Sequence, residues 1–136
     1  MAEIVAKLNE ILADEWACVR ALRRAEPLAE DPGAREVIKR VRKDCSVSCV
    51  SLANIVRELG GRPTDIPSAR FSLKLANESL AECLDLVQSA QEHIVAEVDA
   101  VIDGVELKPC REALSLVGKL HTEDIRWLKS ATGTTA

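Results

Sequence analysis

Aromatic side chains are scarce in this sequence. Among 136 residues they are Trp16, Phe71 and Trp127, and tyrosine is absent. Sheets favour aromatic and β-branched residues, whereas helices favour alanine, leucine, glutamate, lysine and arginine, so the composition predicts an all-α protein. Three aromatics also give bases few surfaces for stacking, and the formal net charge of −4 provides no basic surface. We therefore expect no nucleic-acid partner.

Long apolar runs are missing as well. No stretch approaches the length that spans a bilayer, so we expect no membrane-spanning segment. Met1 leads directly into a helical pattern, without the basic and apolar regions of a signal peptide. The cysteines are odd in number, widely spaced and set in apolar stretches, which favours reduced core residues over disulfides: Cys18, Cys45, Cys49, Cys83 and Cys110. These features predict a cytoplasmic protein.

The length and the periodicity of apolar residues predict a single domain, residues 1–136, of four helices. Asp31-Pro32 resembles an N-cap followed by proline at the first helical position. Helix 3 is expected to begin near Ser68 or Ser72, to end before Gly104 and to be the longest. The predicted helices cover about residues 3–25, 32–59, 69–103 and 108–131.

A segment with turn chemistry, from Gly60 to about Phe71, connects helices 2 and 3. A dozen extended residues reach about 40 Å, whereas a helix of about 22 residues is roughly 33 Å long. The connection can therefore cross the bundle and start helix 3 at the opposite end, as in bundles with one long crossover. The alternative is a loop that turns round at the same end.

Polar residues interrupt the apolar stripes of three predicted helices. Two stripes of helix 1, between Ile4 and Leu22, both pass through Glu15. Gln91 and His121 interrupt the stripes of helices 3 and 4 in the same way. A bare carboxylate in an apolar stripe is unfavourable unless it is paired, protonated or bound to something. These interruptions mark a candidate site inside the bundle.

Counting from the turns places four polar residues at one depth. Glu15 and Asp44 each lie 12 residues from the turn between helices 1 and 2, measured from Pro27 and Pro32. Gln91 and His121 each lie 13 residues from the next turn, measured from Gly104 and Lys108. At a rise of about 1.5 Å per residue, each pair lies about 18 to 20 Å from its turn. If the connection crosses the bundle, the four meet in one layer, with Asp44 at its edge.

These features resemble the ferritin-like superfamily over essentially the whole chain. The resemblance rests on the mid-helix carboxylate Glu15, the acid Asp44, the Leu59-Gly60-Gly61 ending of helix 2 and the mid-helix His121, and the small uncharacterised bundles of bacteria are the most similar members. It implies a four-helix bundle with a long crossover between helices 2 and 3.

The di-iron members of that superfamily use a Glu from helices 1 and 3 and a Glu-x-x-His from helices 2 and 4. By resemblance, Glu15 matches the first Glu, Asp44 stands for the Glu of helix 2, and His121 matches the last His. Gln91 falls where the Glu of helix 3 is expected.

Val47 replaces the histidine of helix 2 and Gly118 the glutamate of helix 4, so half of the ligand set is lost or neutralised. In one interpretation the layer holds no metal: Gln91 bridges Glu15 and His121, and the protein is a structural or partner-binding bundle rather than an enzyme. In the other, the same four residues bind one or two Fe, Mn or Zn ions, and the role is that of a ferritin-like oxidoreductase.

Two weaker hypotheses involve cysteine and tryptophan. Cys45 and Cys49 lie one helical turn apart, and with Cys18 they form a candidate soft-metal site or thiol switch, although core packing is favoured because no base is near. Trp16 and Trp127, if exposed, would suit a homodimer face, since aromatics are enriched at interfaces.

Overall fold

The structure, a computed structural model, describes residues 1–71 and 79–132. Within these ranges the chain is helical and contains no strand, which confirms the prediction of an all-α, four-helix protein. Short 3-10 helices follow α1 and α3 at Glu26–Leu28 and Ile102–Gly104. The four α-helices are α1 (Ala2–Ala25), α2 (Pro32–Glu58), α3 (Leu80–Val101) and α4 (Lys108–Thr132).

Local sequence determines both ends of α2. The Asp31 side chain accepts a hydrogen bond of 2.9 Å from the backbone N–H of Ala34, and Pro32 occupies the first turn, where its missing N–H costs nothing. At the other end Gly60 has a φ of +85°, a conformation that glycine adopts without strain. The start of α2 agrees with the prediction and its end differs by one residue.

Helix α3 begins later than predicted. Residues 69–71 form a bend and a turn, and α3, with 22 residues, is the shortest of the four α-helices in the described ranges rather than the longest. Ser79 and Glu82 form a capping box, in which each side chain accepts a 3.1 Å hydrogen bond from the backbone N–H of the other residue. Leu73 and Ala76, which extended the predicted apolar stripe, lie outside the described residues.

Helix α1 packs against α2 and α3, and α4 packs against the same two, so α1 and α4 face each other across the bundle diagonal. Gly61 lies so close to Val5 that a Cβ atom on this glycine would be 2.5 Å from the valine Cγ1. Gly104 lies against Ile4. The carboxyl ends of α2 and α3 are therefore both beside the amino end of α1.

The start of the connection between α2 and α3 is bound along α1. The Asn9 side-chain oxygen accepts a 2.9 Å hydrogen bond from the N–H of Thr64, and Trp16 Nε1 donates to the Thr64 carbonyl at 3.0 Å. The backbone N–H of Ser68 donates to the Ala13 carbonyl at 2.9 Å. These bonds order the connection as far as Ser68, and residues 72–78 lie outside the described part.

The core consists of the apolar stripes that face between the helices. Leu12, Leu52, Ile94, Leu114 and Leu128 are among its fully buried members. The described helices include none that is both long enough and apolar enough to cross a membrane.

Replacing Ser79 by alanine is expected to lower the free energy of unfolding by about 1 kcal/mol, because it removes the side-chain cap of α3. Urea unfolding followed by circular dichroism measures the change. Ser89→Ala, at an exposed position inside the same helix, is the matched control and should be neutral or slightly stabilising. Equal effects of the two substitutions would contradict the assigned cap.

Candidate functional site in the core

The structure brings Glu15, Gln91 and His121 together in the middle of the bundle. These side chains come from α1, α3 and α4, and all three are fully buried. Asp124, which lies one turn after His121 on α4, joins them and is also buried. We call these four residues, together with Asp44 at their edge, the polar layer.

His121 lies between two carboxylates. Its Nε2 atom is 2.5 Å from Glu15 Oε2, and its Nδ1 atom is 3.2 Å from Asp124 Oδ2. Burial by itself would lower the pKa of His121, but the charge of Glu15 and the hydrogen bonds to Asp124 and Glu15 outweigh it and raise the pKa well above its usual range. The ring is therefore an imidazolium that donates from both nitrogens.

Gln91 lies beside the histidine and bonds to its neighbours, rather than bridging it to Glu15 as the sequence suggested. Its Nε2 atom lies 3.1 Å from His121 Nδ1 and donates to Asp124 Oδ2 at 3.4 Å and to Cys45 Sγ at 3.3 Å. Glu15 meets His121 directly. The amide therefore links α3 to α2 and α4, while the carboxylate–imidazole contact links α1 to α4.

Asp44 contacts the four buried residues of the polar layer through Asp124. Its side chain is half-buried, in agreement with the edge position expected for it. Burial and the neighbouring Asp124 carboxylate, which hydrogen-bonds to it, raise the pKa of Asp44 to about 7. Near neutral pH Asp44 therefore holds a proton in a fraction of the molecules, because a negative charge beside the Asp124 carboxylate is unfavourable.

Three oxygen atoms of the polar layer lack a hydrogen-bond partner within the described part of the chain. They are Glu15 Oε1, Gln91 Oε1 and Asp124 Oδ1. A protonated Asp44 offers a donor to the Asp124 carboxyl. Because unsatisfied buried acceptors are costly, the other two oxygens are positions where a water molecule or a cation would be stabilised.

Two thiols lie beside the polar layer. Cys18 is one turn beyond Glu15 on α1, Cys45 is on α2, and both are fully buried. One carboxylate oxygen of Glu15 and the two sulfurs all lie within 4.8 Å of one another. A hydrogen bond with Cys18, together with burial, raises the pKa of Cys45 well above its usual range, so this thiol is neutral. Cys49, which the sequence grouped with them, is not part of this triad.

Another buried acid, outside the polar layer, lies at the interface of α1 and α3. Asp14 is 1% exposed, and burial raises its pKa, although Ser68, Arg70 and His93 partly offset this effect. His93 Nε2 lies 3.7 Å from Asp14 Oδ2 and accepts a 2.6 Å hydrogen bond from Arg70 Nη1. Arg70 lies in the connection, so this pair helps to hold that segment on the bundle.

Sequence reasoning missed Asp14, His93 and the role of Asp124. For two of these residues, Asp124 and Asp14, the helical spacing of the sequence already indicated a buried position. Asp124 is three residues after His121, which is the spacing of one helix face, and Asp14 lies at helical spacing between the buried residues Ile11 and Cys18. The contact of His93 with Arg70 depends on the path of the connection, which sequence periodicity does not describe.

Removal of His121 is expected to be strongly destabilising. His121→Ala leaves Glu15 and Asp124 as buried carboxylates without their partner, at a cost of about 3–5 kcal/mol. A double-mutant cycle with Glu15→Ala should give a coupling energy of about 0.5–3 kcal/mol, measured by urea unfolding. The control cycle pairs His121→Ala with Cys110→Ser, at the start of α4, and should be additive. Additivity in both cycles would contradict the assigned ion pair.

The stability of the protein is expected to fall as pH rises from about 4 to above neutrality. Asp44 has a pKa of about 7 in the folded protein against an ordinary value of 3.8, so the folded state binds more protons in that window. The raised pKa of His121 extends the decline to higher pH.

Asp44→Asn should reduce the decline on the acid side, to which the raised pKa of Asp14 also contributes, and leave the alkaline part, in urea unfolding measured across this range. Asp85→Asn, at an exposed position on α3, is the control and should leave the profile unchanged. A profile of Asp44→Asn that matches the unsubstituted protein would refute the assignment.

Comparison with known proteins places the chain in a family. Residues 2–129 match the family described as a domain of unknown function, DUF6306. The crystal structure of a conserved hypothetical protein, rv2844, from Mycobacterium tuberculosis has a TM-score of 0.79 over 99% of this chain and 94% of that chain. At 17% identity, this likeness shows a shared fold. A search of curated proteins finds no match. The chain belongs to the DUF6306 family.

Proposed function

We propose that the protein is a ferritin-like bundle in which the connection between α2 and α3 crosses from one end to the other. The close contacts of Gly61 with Val5 and of Gly104 with Ile4 support this topology, because the carboxyl ends of α2 and α3 then lie at the same end. A connection that turned round at that end would start α3 there instead. The bonds from the connection to α1 support the same path.

We further propose that the polar layer is held by its own hydrogen bonds and ion pairs, in a bundle that acts as a structural or partner-binding protein rather than as an enzyme. The observation that carries this proposal is the direct contact of both His121 nitrogens with carboxylates. A histidine that binds a metal ion keeps one nitrogen for the ion. Buried polar residues of this kind fix the register of packed helices.

The residues present do not suit the di-iron centre of the superfamily. Val47, at the position of a histidine ligand, is 48% exposed, and Gly118 has no side chain to offer. Asp44 approaches the layer through Asp124. A second candidate, favoured by the unpartnered Glu15 Oε1 and Gln91 Oε1, is a residual site for Fe, Mn or Zn made of Glu15, Asp44, Gln91 and His121.

Nuclear magnetic resonance of the two histidines distinguishes the candidates. We expect the His121 ring to show imidazolium nitrogen signals that added Mn²⁺ does not broaden selectively, with the half-buried His93 as internal control. Added Fe²⁺ should oxidise in air no faster than in buffer. Selective broadening at His121, or Fe²⁺ oxidation that His121→Ala abolishes, would overturn the proposal and support the residual metal site.

For partner binding, the proposed surface is the outer face of α2, and the proposed partner is a second copy of the chain. Val47 and Val50 are exposed there by 48% and 61%, beside a groove that Trp16, Val19 and Ala53 help to line. The tryptophans were expected at an interface if exposed: Trp127 is 39% exposed and Trp16 is half-buried. Trp16 is hydrogen-bonded to the connection, and the Arg40 guanidinium carbon lies 4.8 Å from the centre of the Trp127 ring.

Val50→Asp is expected to convert a dimer into a monomer in analytical ultracentrifugation, because a charge replaces an apolar contact. Leu116→Asp introduces the same charge at a residue that is 60% exposed on α4 and should leave the dimer intact. A monomeric unsubstituted protein, or equal effects of the two changes, would refute the proposed face.

A further inference from the structure

We propose that Cys18, Cys45 and Glu15 form a binding site for one thiophilic divalent cation of the Zn²⁺ class, with a ligand set different from that of the ferritin-like superfamily. The two sulfurs and one carboxylate oxygen lie within 4.8 Å of one another, and all three residues are fully buried. Thiolate, imidazole and carboxylate are the ligands that Zn²⁺ takes from proteins.

The spacing of these atoms is close to what such an ion requires. Zn–S bonds of about 2.3 Å and Zn–O bonds of about 2.0–2.2 Å, in tetrahedral geometry, leave the ligand atoms roughly 3.3–3.8 Å apart. Because no two of the observed atoms are more than 4.8 Å apart, binding calls for a contraction of at most about 1.0–1.5 Å. Glu15 and Cys18 share one face of α1, and Cys45 faces them from the adjacent α2.

The second oxygen of Glu15 is an independent indication of a ligand. Oε2 is occupied by His121, whereas Oε1 is buried and has no hydrogen-bond partner in the described ranges. Glu15 can therefore bind a cation through Oε1 and keep its contact with the imidazolium. In that arrangement His121 orients the ligating carboxylate from outside the site.

Cys45 is already supplied with the hydrogen bond that a ligating thiolate needs. Gln91 Nε2 donates to its sulfur at 3.3 Å, and this donor would stabilise negative charge on the sulfur. Binding breaks two S–H bonds, forms two metal–sulfur bonds and releases two protons to solvent, without oxidation or reduction. The ion brings two positive charges as two protons leave, so the net charge of the buried site does not change.

Cobalt serves as the probe, because thiolate ligation gives Co²⁺ a sulfur-to-metal charge-transfer band and strong tetrahedral absorption. The full chain is refolded anaerobically with Co²⁺, since the site is buried. We expect one ion per chain, two protons released per ion, and bleaching of the absorption by Zn²⁺. Cys18→Ser and Cys45→Ser should lose the charge-transfer band, and Cys110→Ser, a buried cysteine outside the triad, should keep it.

Glu15→Gln and His121→Gln separate the ligand from the residue that orients it. Glu15→Gln should weaken Co²⁺ binding more than His121→Gln, for which a loss of about 10–100-fold is expected. Co²⁺ bound with only the weak absorption of oxygen and nitrogen ligands would overturn the thiolate site and support the residual metal site. Absence of Co²⁺ binding would overturn it as well. If the serine variants do not fold, the unsubstituted chain tests the thiolate site by itself: a charge-transfer band with two protons released per ion supports the site, and the absence of either contradicts it.

Discussion

An imidazolium held between two carboxylates is the interaction on which the interior of this bundle depends. In a dry core each of these charges alone would be expensive, and together they become tolerable because each nitrogen of His121 meets an oxygen. Helices α1 and α4, which carry Glu15 and His121, are diagonal partners rather than packing neighbours. The bond therefore passes through the centre of the bundle and joins its two helical hairpins.

This position gives the contact an influence on register that apolar side chains lack. Leucines can slide past one another with small losses, whereas a displacement of one residue along a helix axis, about 1.5 Å, would break a 2.5 Å hydrogen bond. Gln91 adds a further constraint, since its amide contacts α4 through Asp124 and α2 through Cys45. The four helices are thus connected at one depth by directional bonds.

The sequence was sufficient to predict the helices that carry this contact and the depth at which it forms. Glu15, Gln91 and His121 each interrupt a regular apolar stripe, and equal counts from the turns predicted that they would meet. The start of α3 was wrong because the apolar stripe continues upstream of Ser79, and periodicity alone does not reveal where a capping box ends a connection. The tertiary contacts of Asp14 and His93 depend on the path of the connection, which no helical period encodes.

The paired glycines that follow α2 illustrate how neighbouring identical residues can be constrained for unrelated reasons. Gly60 is required by its backbone angle and has open space around it, so asparagine, which tolerates that angle, is an acceptable replacement there. Gly61 has no such angle but lies against Val5 and Val56, so the methyl group of alanine would force these side chains, or the first turns of α1, to shift. Natural variants of this protein should therefore vary more at the first glycine than at the second.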